Sequence, residues 1–307
     1  MTNRISESDI VEAIGEDISS LLKKKISDMD LTYEELSKEE NNEVLHEILN
    51  FLFKEDDRIV RAGEHRIDDW NKGWGENAKE FTEHKHYNSL IPKYFGKYPY
   101  IRWNKNIIKP CSKDLEYNMV QILQYWAFDK FLKDCDNIYE FGCGTGHNLF
   151  RAREVNPTAK ITGLDWSTSS QESINQINDI LGLDFGSHKF DFFNVDKEFK
   201  LGQKSGIYTF AALEQINDRY HEFINYLMDN SADICLHIEP MGEYLDDDNI
   251  YDFLSKKYFE KRNYLKGFKD CLYNLEREGK IEIVYEKSSF IGSMFINGYS
   301  LIAWRKR

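Results

Sequence analysis

Residues 137 to 149 (NIYEFGCGTGHNL) constrain this chain more than any other stretch. An apolar run of Ile138, Tyr139 and Phe141 meets glycines at 142, 144 and 146, ahead of a segment that can be helical. That pattern is a strand turning sharply into a helix. Glycine is required because the turn demands backbone angles that a side chain forbids, and because a ligand must come close to the main chain. The free N–H groups at the start of the following helix then face something polar or anionic.

A dinucleotide fingerprint has the form Gly-x-Gly-x-x-Gly. This loop is Gly-x-Gly-x-Gly with Glu140 two places ahead of the first glycine. In that form the segment Glu140 to Gly146 resembles motif I of the class I S-adenosylmethionine (SAM) dependent methyltransferases. The resemblance implies an α/β, Rossmann-like, seven-stranded sheet with helices on both faces, and SAM as cofactor. It further implies that Glu140, Gly142, Cys143, Gly144 and Gly146 surround the methionine part of that cofactor.

Later segments follow in the same order. Lys160 to Asp165 reads as a second strand ending in a carboxylate about 20 residues past the glycines, which suits the two hydroxyls of a ribose. Asp165 resembles the ribose-binding acid of the family, and Trp166 stands where the family places an apolar residue against adenine. The third strand is expected at Lys189 to Phe193. Asn194 at its end is the first choice for the adenine amino group, with Asp191 second and the Val195 backbone N–H beside it. A fourth strand, Ile207 to Ala212, leads into Leu213-Glu214-Gln215, which resembles the segment beneath the transferred methyl group. The frequent His of that segment is Gln215 here. Asp233 to Ile238 forms a fifth strand ending at His237-Ile238-Glu239-Pro240, and Ile281 to Glu286 with Tyr299 to Arg305 closes the sheet as an antiparallel pair. Residues 243 to 280 read as a helical insertion.

The resemblance covers roughly residues 137 to 307, so the chain divides at about 130. Residues 1–130 are expected to form a helical, aromatic-rich cap, and 131–307 the SAM-binding domain. Apolar residues at helical spacing give one helix over Ser8 to Lys25, with Ser6 or Ser8 as its cap. Thr32 and Glu35 supply a capping box for a second. Packing and homo-oligomer formation are the two roles open to this arm. Residues 61 to 118, rich in Trp, Tyr and His, hold neither period for long. Flat aromatic faces mixed with donors there suit a polar ring such as a sugar or nucleoside, or else pack as a satellite core. Leu115 to Leu132 is a helix leading into the glycine loop.

Composition narrows the partners. The chain has 307 residues with 40 Lys plus Arg against 53 Asp plus Glu, a net charge of -13, which disfavours nucleic acid. With no apolar run long enough for a membrane and no signal-peptide pattern at the amino terminus, the expected location is cytoplasmic. Five scattered cysteines without a Cys-x-x-Cys pair fit reduced thiols rather than a zinc site. Metal ligands are not expected: His84, His86 and Asp246 to Asp248 read as solvated surface.

Methyl transfer from a sulfonium is mostly a matter of positioning, helped by a base when the acceptor is an alcohol. His237, Glu239, Glu214 and His221 are the candidates, at or just beyond strand ends. His84, His86 and Glu116 follow them. The expected activity is transfer to a small polar acceptor, a hydroxyl of a sugar or related metabolite, because Ile91 to Trp103 and the aromatic cap resemble bacterial sugar O-methyltransferases. An N- or protein methyltransferase, and a catalytically silent SAM-fold partner, are the alternatives.

Overall fold

The computed structural model describes residues 2–54, 58–230 and 232–307. Its centre is β5 (Asn137–Phe141), which runs parallel to β6 (Lys160–Asp165) on one side and to β8 (Ser205–Phe210) on the other. Beyond β6 lies β7 (Gly186–Lys189), parallel to it. Beyond β8 lie β9 (Ile234–Glu239), parallel, and then β12 (Ser300–Lys306) and β10 (Ile281–Lys287), each antiparallel to its neighbour. The order β10-β12-β9-β8-β5-β6-β7 makes the expected seven-stranded sheet. Because the chain leaves β5 in one direction and later returns to its other edge, a crevice opens at the carboxyl ends of β5 and β8.

Helices cover both faces, which is why the strands read as nearly continuous apolar runs. Alternation sends Ile138, Tyr208 and Leu236 into one core layer, together with Met119, Leu123 and Phe128 of α5 (Leu115–Phe131) and Ile174 of α7 (Thr168–Leu181). Tyr139, Phe141, Ile207 and Cys235 enter the other, against Phe223 of α8 (His221–Asn230) and Phe268 of α10 (Phe268–Arg277). His237 lies on this second face. Its Nε2 accepts from the Trp304 indole N–H at 3.1 Å, and its Nδ1 is 3.0 Å from Thr209 Oγ1. Since an indole can only donate, Nε2 is unprotonated and the proton sits on Nδ1, donated to Thr209. Burial holds the ring neutral, with its pKa lowered to about 3. The expectation that His237 acts as a base is therefore corrected: it is a satisfied core residue.

The amino-terminal region is not the purely helical cap that the sequence suggested. β1 (Thr2–Arg4), β2 (Thr32–Glu35), β3 (Ile101–Trp103) and β4 (Asn106–Pro110) join a second, antiparallel sheet. Its last strand, β11 (Ile291–Ser293), comes from the connection between β10 and β12, so the two halves of the sequence share one sheet. Thr32 and Glu35 are thus strand residues. The capping box lies at Ser37 and Glu40, whose side chain and backbone groups exchange bonds of 2.8 and 3.2 Å to open α3 (Lys38–Phe53). The expected first helix is two, α1 (Glu7–Ile14) and α2 (Ser20–Asp28), separated where Gly15 turns left-handed at φ 83°. Ser6 caps α1, as one of the two proposed residues.

Within residues 61–118 an 18-residue helix, α4 (Ile67–His84), was hidden by Gly73, Gly75 and a polar sequence. It packs on α7 through Asn71, whose Oδ1 accepts from Ser167 Oγ at 2.8 Å and from the Ser169 N–H at 3.1 Å. A Cβ on Gly75 would come within 3.3 Å of Ser169 Oγ, so the glycine that weakens the helix also permits its close approach. Residues 243–280 hold α9 (Ile250–Arg262) and α10.

Trp304→Phe keeps most of the ring but leaves His237 Nε2 buried without a donor. The expected cost is about 1–3 kcal/mol, read as a lowered denaturation midpoint with an unchanged m-value; an unchanged midpoint would show the bond to be dispensable.

Candidate active site

The glycine loop lies at the carboxyl end of β5. Gly142 (φ 79°) and Gly144 (φ 54°) take left-handed backbone, and each is also hemmed in. A Cβ on Gly142 would lie 2.3 Å from that of Ala212, and one on Gly144 would lie 3.1 Å from the Trp74 ring. Gly146 (φ 79°) instead faces Ile174, 3.2 Å from its would-be Cβ, and serves helix packing. Ala211, just past β8, has φ 47°, a strained conformation for a residue with a side chain and one that gathers at functional sites.

Beneath the loop is a buried polar network. Glu140 accepts from Asn148 Nδ2 at 2.7 Å and from the Tyr208 hydroxyl at 3.0 Å. The Asn148 carbonyl oxygen is in turn held by Gln124 Nε2 and by Arg151 Nη2, which fixes the orientation of its amide. Arg151 also donates to the hydroxyls of Tyr87 (2.7 Å) and Tyr117 (3.0 Å). Glu140 therefore braces the loop from below. Burial raises its pKa to about 8, with the hydrogen bonds from Asn148 and Tyr208 opposing.

Two hollows meet above the loop. The first is a narrow slot of about 60 Å³ lined by Asp165, Trp166, Phe190, Phe192, Phe193 and Gln215, among others. Asp165 Oδ2 accepts from the Gly144 N–H and Oδ1 from the Ser167 N–H, both at 2.9 Å. Each oxygen keeps a further lone pair for a ligand hydroxyl. Burial raises this carboxyl to about 6, opposed by those two backbone N–H groups. Trp166 and Phe193 lie 5.6 Å apart on the same slot, suited to a flat ring.

The second hollow, about 400 Å³, is lined by Gly142, Cys143, Gly144, Phe210, Glu116 and Glu214, by several tyrosines, and by the cations Arg66, Lys97 and Arg262. Trp70 and Trp74 of α4, stacked 5.1 Å apart, line both hollows, as do Gly142 and Ala211. Glu214 and Glu116 are each raised to about 7, chiefly by burial; Arg262 opposes the shift for Glu214 and the Gly96 N–H for Glu116.

The structure thus brings Gly142, Cys143, Gly144, Asp165, Trp166 and Glu214 to these hollows. Glu116, the last of the further candidates, lines the larger one as well, and the other expected site residues lie elsewhere. Asn194 is exposed, its amide turned onto Asp191 Oδ2 at 3.1 Å. β7 ends at Lys189, earlier than expected, so Phe190, Phe192 and Phe193 take the slot positions instead. Val195 and Leu213 pack in the second core layer. His221 opens α8 on the surface, 3.8 Å from Cys271 Sγ. Glu239 is fully buried beside the slot wall: one oxygen accepts from the Ala212 N–H at 3.1 Å, and the other has no hydrogen-bond partner. Burial first, and then the nearby Glu214 charge, raise it to about 8. His84 ends α4, and His86 accepts from the Asn88 N–H. Asp246 pairs with Lys105 at 3.1 Å.

His147, on the wall of the larger hollow, was not singled out from sequence, although it directly follows the third glycine. Thr145 Oγ1 donates to the Leu90 carbonyl at 2.6 Å, so at 3.1 Å it accepts from His147 Nδ1–H. Nε2 is left unprotonated and without a partner. Burial and the Arg151 charge hold this ring neutral.

No protein-family model matches the chain, and no curated protein sequence does. Among solved structures, the SAM-dependent methyltransferase SibL in its apo form is 14% identical over 99% of this chain and 90% of its own, with a TM-score of 0.45. The plantazolicin methyltransferase BpumL in complex with SAH is 14% identical over 80% of this chain and 99% of its own, at 0.46. Magnesium protoporphyrin IX methyltransferase (ChlM) from Synechocystis PCC 6803 with bound SAH is 13% identical over 62% and 82%, at 0.44. Likeness of this degree does not identify an activity.

Burial has raised the pKa of five carboxyls about this site: Asp165, Glu116, Glu214, Glu140 and Glu239. Each holds its proton more tightly folded than unfolded, so the contribution of these five to stability is fullest below the ordinary carboxylate range and falls as pH climbs toward 7 to 8. The thermal midpoint should therefore drop between pH 5 and 8. Glu239→Gln removes one titrating group, worth at most about 1.4 kcal/mol per pH unit, and should flatten that slope; an unaltered slope would show that Glu239 is ionised throughout.

Proposed function

We propose that this chain is a SAM-dependent methyltransferase acting on a small polar acceptor. The observation that carries the reading is the continuity of the two hollows across Gly142 and Ala211. A glycine cradle, a carboxylate suited to a diol and an aromatic slot on one side open directly into a cavity with an acid and several tyrosines on the other. The residues present fit the cofactor: Asp165 would take the ribose hydroxyls, Trp166 and Phe193 the adenine, and the Gly142 to Gly144 backbone the methionine end. Bound there, SAM supplies an electrophilic methyl group whose departure leaves a neutral thioether.

The chain's own residues then bind and orient the acceptor. Glu214, at the end of the segment following β8, is the residue proposed to take the acceptor's proton. It lines the larger cavity, 9% exposed, and its pKa lies near the working range of a general base. Its Oε1 is held by Gln215 Nε2 at 2.8 Å, which aims the carboxylate and gives Gln215 a positioning role. Trp70 and Trp74 line both hollows where they meet. A hydroxyl is the acceptor atom this arrangement suits, because an alcohol must lose a proton and an acid raised to about 7 can accept it. A sugar hydroxyl is one such acceptor. His237, both of whose nitrogens are used within the core, takes no part.

Calorimetry with S-adenosylhomocysteine tests the first half: Asp165→Ala should weaken binding by about 1.5–3 kcal/mol through lost charge-assisted hydrogen bonds. Absence of binding to the unaltered protein would defeat the reading. For the second half, single-turnover methyl transfer should rise with pH through about 7, since the base works only when deprotonated. Glu214→Gln should remove that limb and slow transfer by ~10²–10⁴ while leaving cofactor affinity nearly unchanged. A rate that keeps its pH dependence in the variant would assign the base elsewhere, Glu116 being the other acid that lines the cavity.

A further inference from the structure

Three donors around the larger cavity are buried and have nothing to donate to. They are Arg66 Nη1, Trp70 Nε1 and Arg262 Nε. All three residues line that cavity, and they come from two adjoining pieces of backbone. Arg66 immediately precedes α4, Trp70 lies one turn into it, and Arg262 ends α9. The chain just ahead of Arg66 is tied to the end of α9, because the Ala62 N–H donates to the Arg262 carbonyl at 2.7 Å and Arg61 donates to Asn263 Oδ1 at 3.2 Å.

Neither guanidinium is neutralised within the fold to the point of being spent. Arg66 gives Nε to Asp69 at 2.5 Å, but Asp69 is 62% exposed and its charge is shared with water. Arg262 donates through Nη2 to the Tyr264 hydroxyl at 3.1 Å and lies 5.0 Å from the Tyr264 ring centroid and 5.9 Å from that of Tyr258. The rings support the cation without taking its Nε proton. Lys97, exposed at the same cavity, adds a third positive charge.

A chain with net charge -13 repels anions at long range. Clustering cations on one cavity wall, with donors left open, is the local arrangement that reverses this. A single neutral hydroxyl could satisfy one of the donors, whereas a carboxylate or phosphate offers several acceptor lone pairs to a planar guanidinium fork. The acids of the same cavity are Glu116 and Glu214, the latter within Coulombic range of Arg262; their pKa values are raised to about 7, so they are only partly ionised at neutral pH, which lessens their repulsion of an anion.

We propose that the acceptor carries an anionic group, a carboxylate or phosphate, bound by Arg66, Arg262 and the Trp70 indole N–H, with its reacting hydroxyl turned toward Glu214. This rests on the methyltransferase reading for the word acceptor. The carboxylate of the cofactor's methionine end has the same chemistry, so the test separates the two sources.

S-adenosylhomocysteine is titrated first, against the unaltered protein and against Arg66→Gln and Arg262→Gln. Failure to bind the unaltered protein counts against the methyltransferase reading, and the anion arm is then read on the free protein. With the cofactor product bound, quenching of tryptophan fluorescence and calorimetry compare glucose 6-phosphate with glucose, and 4-hydroxybenzoate with 4-hydroxybenzamide. In at least one pair the anion should bind about ten- to a hundredfold more tightly, the range for hydrogen bonds to a charged group. Each arginine variant should lose most of that preference and keep its affinity for S-adenosylhomocysteine. Equal binding within both pairs, no binding by either anion, or a preference that survives both substitutions would overturn the proposal. So would a tenfold loss of S-adenosylhomocysteine affinity in the variants with 5′-methylthioadenosine unaffected, which would give the arginines to the cofactor's carboxylate.

Discussion

The near-contact between Gly142 and Ala212 sets the geometry on which the site depends. Two neighbouring parallel strands, β5 and β8, end together, and their following loops diverge from a point where no room remains for one more methyl group. The backbone therefore forms the floor of both hollows. Three acids are placed relative to this floor: Asp165 by its bond to the Gly144 N–H, Glu214 by the turn after Ala211 and Ala212, and the buried Glu239 by its bond to the Ala212 N–H. A strained Ala211 at the same point is in keeping with a site held by its surroundings.

That floor is supported by charge placed where water cannot reach. Glu140 and Arg151 are both buried, and Asn148 bonds to each of them. Burying ionisable groups is costly unless their hydrogen bonds are made, and here nearly all are. The same low-dielectric setting that makes the network costly raises the carboxyls above it toward neutral pH. Glu214 is among them, raised to about 7 chiefly by burial, with the Arg262 charge opposing.

The roof has a different origin. α4 crosses from the amino-terminal half to α7 and sets Trp70 and Trp74 over the glycine loop, while β11 carries the carboxyl-terminal half into the amino-terminal sheet. The cavity wall bearing Arg66 and Arg262 joins residues almost 200 positions apart, tied by the Ala62 N–H bond to the Arg262 carbonyl.

What the sequence determined by itself was the strand and helix alternation around the glycine loop and the residues at its strand ends. The glycines at 142 and 144 and the acid ending β6 follow from strand, turn and spacing, Trp166 and Glu214 from the family resemblance, and each stands at the sheet's carboxyl edge. Residues whose role depends on what lies across from them were decided only by tertiary structure. His237 and Glu239 share a strand face, yet Trp304 and Thr209 consume the nitrogens of one, while the other retains an unpartnered oxygen. Asn194 lost its expected place because β7 ends early and three phenylalanines follow. The helical pattern of α4 is weak in the sequence because its glycines lower helix propensity, a cost offset by the contact with α7 that Gly75 permits and by burial of Phe81 and Asn77. Propensity and period act along the chain, whereas burial and the pairing of polar groups act across it, and the second kind fixed which acids and cations face the cavity.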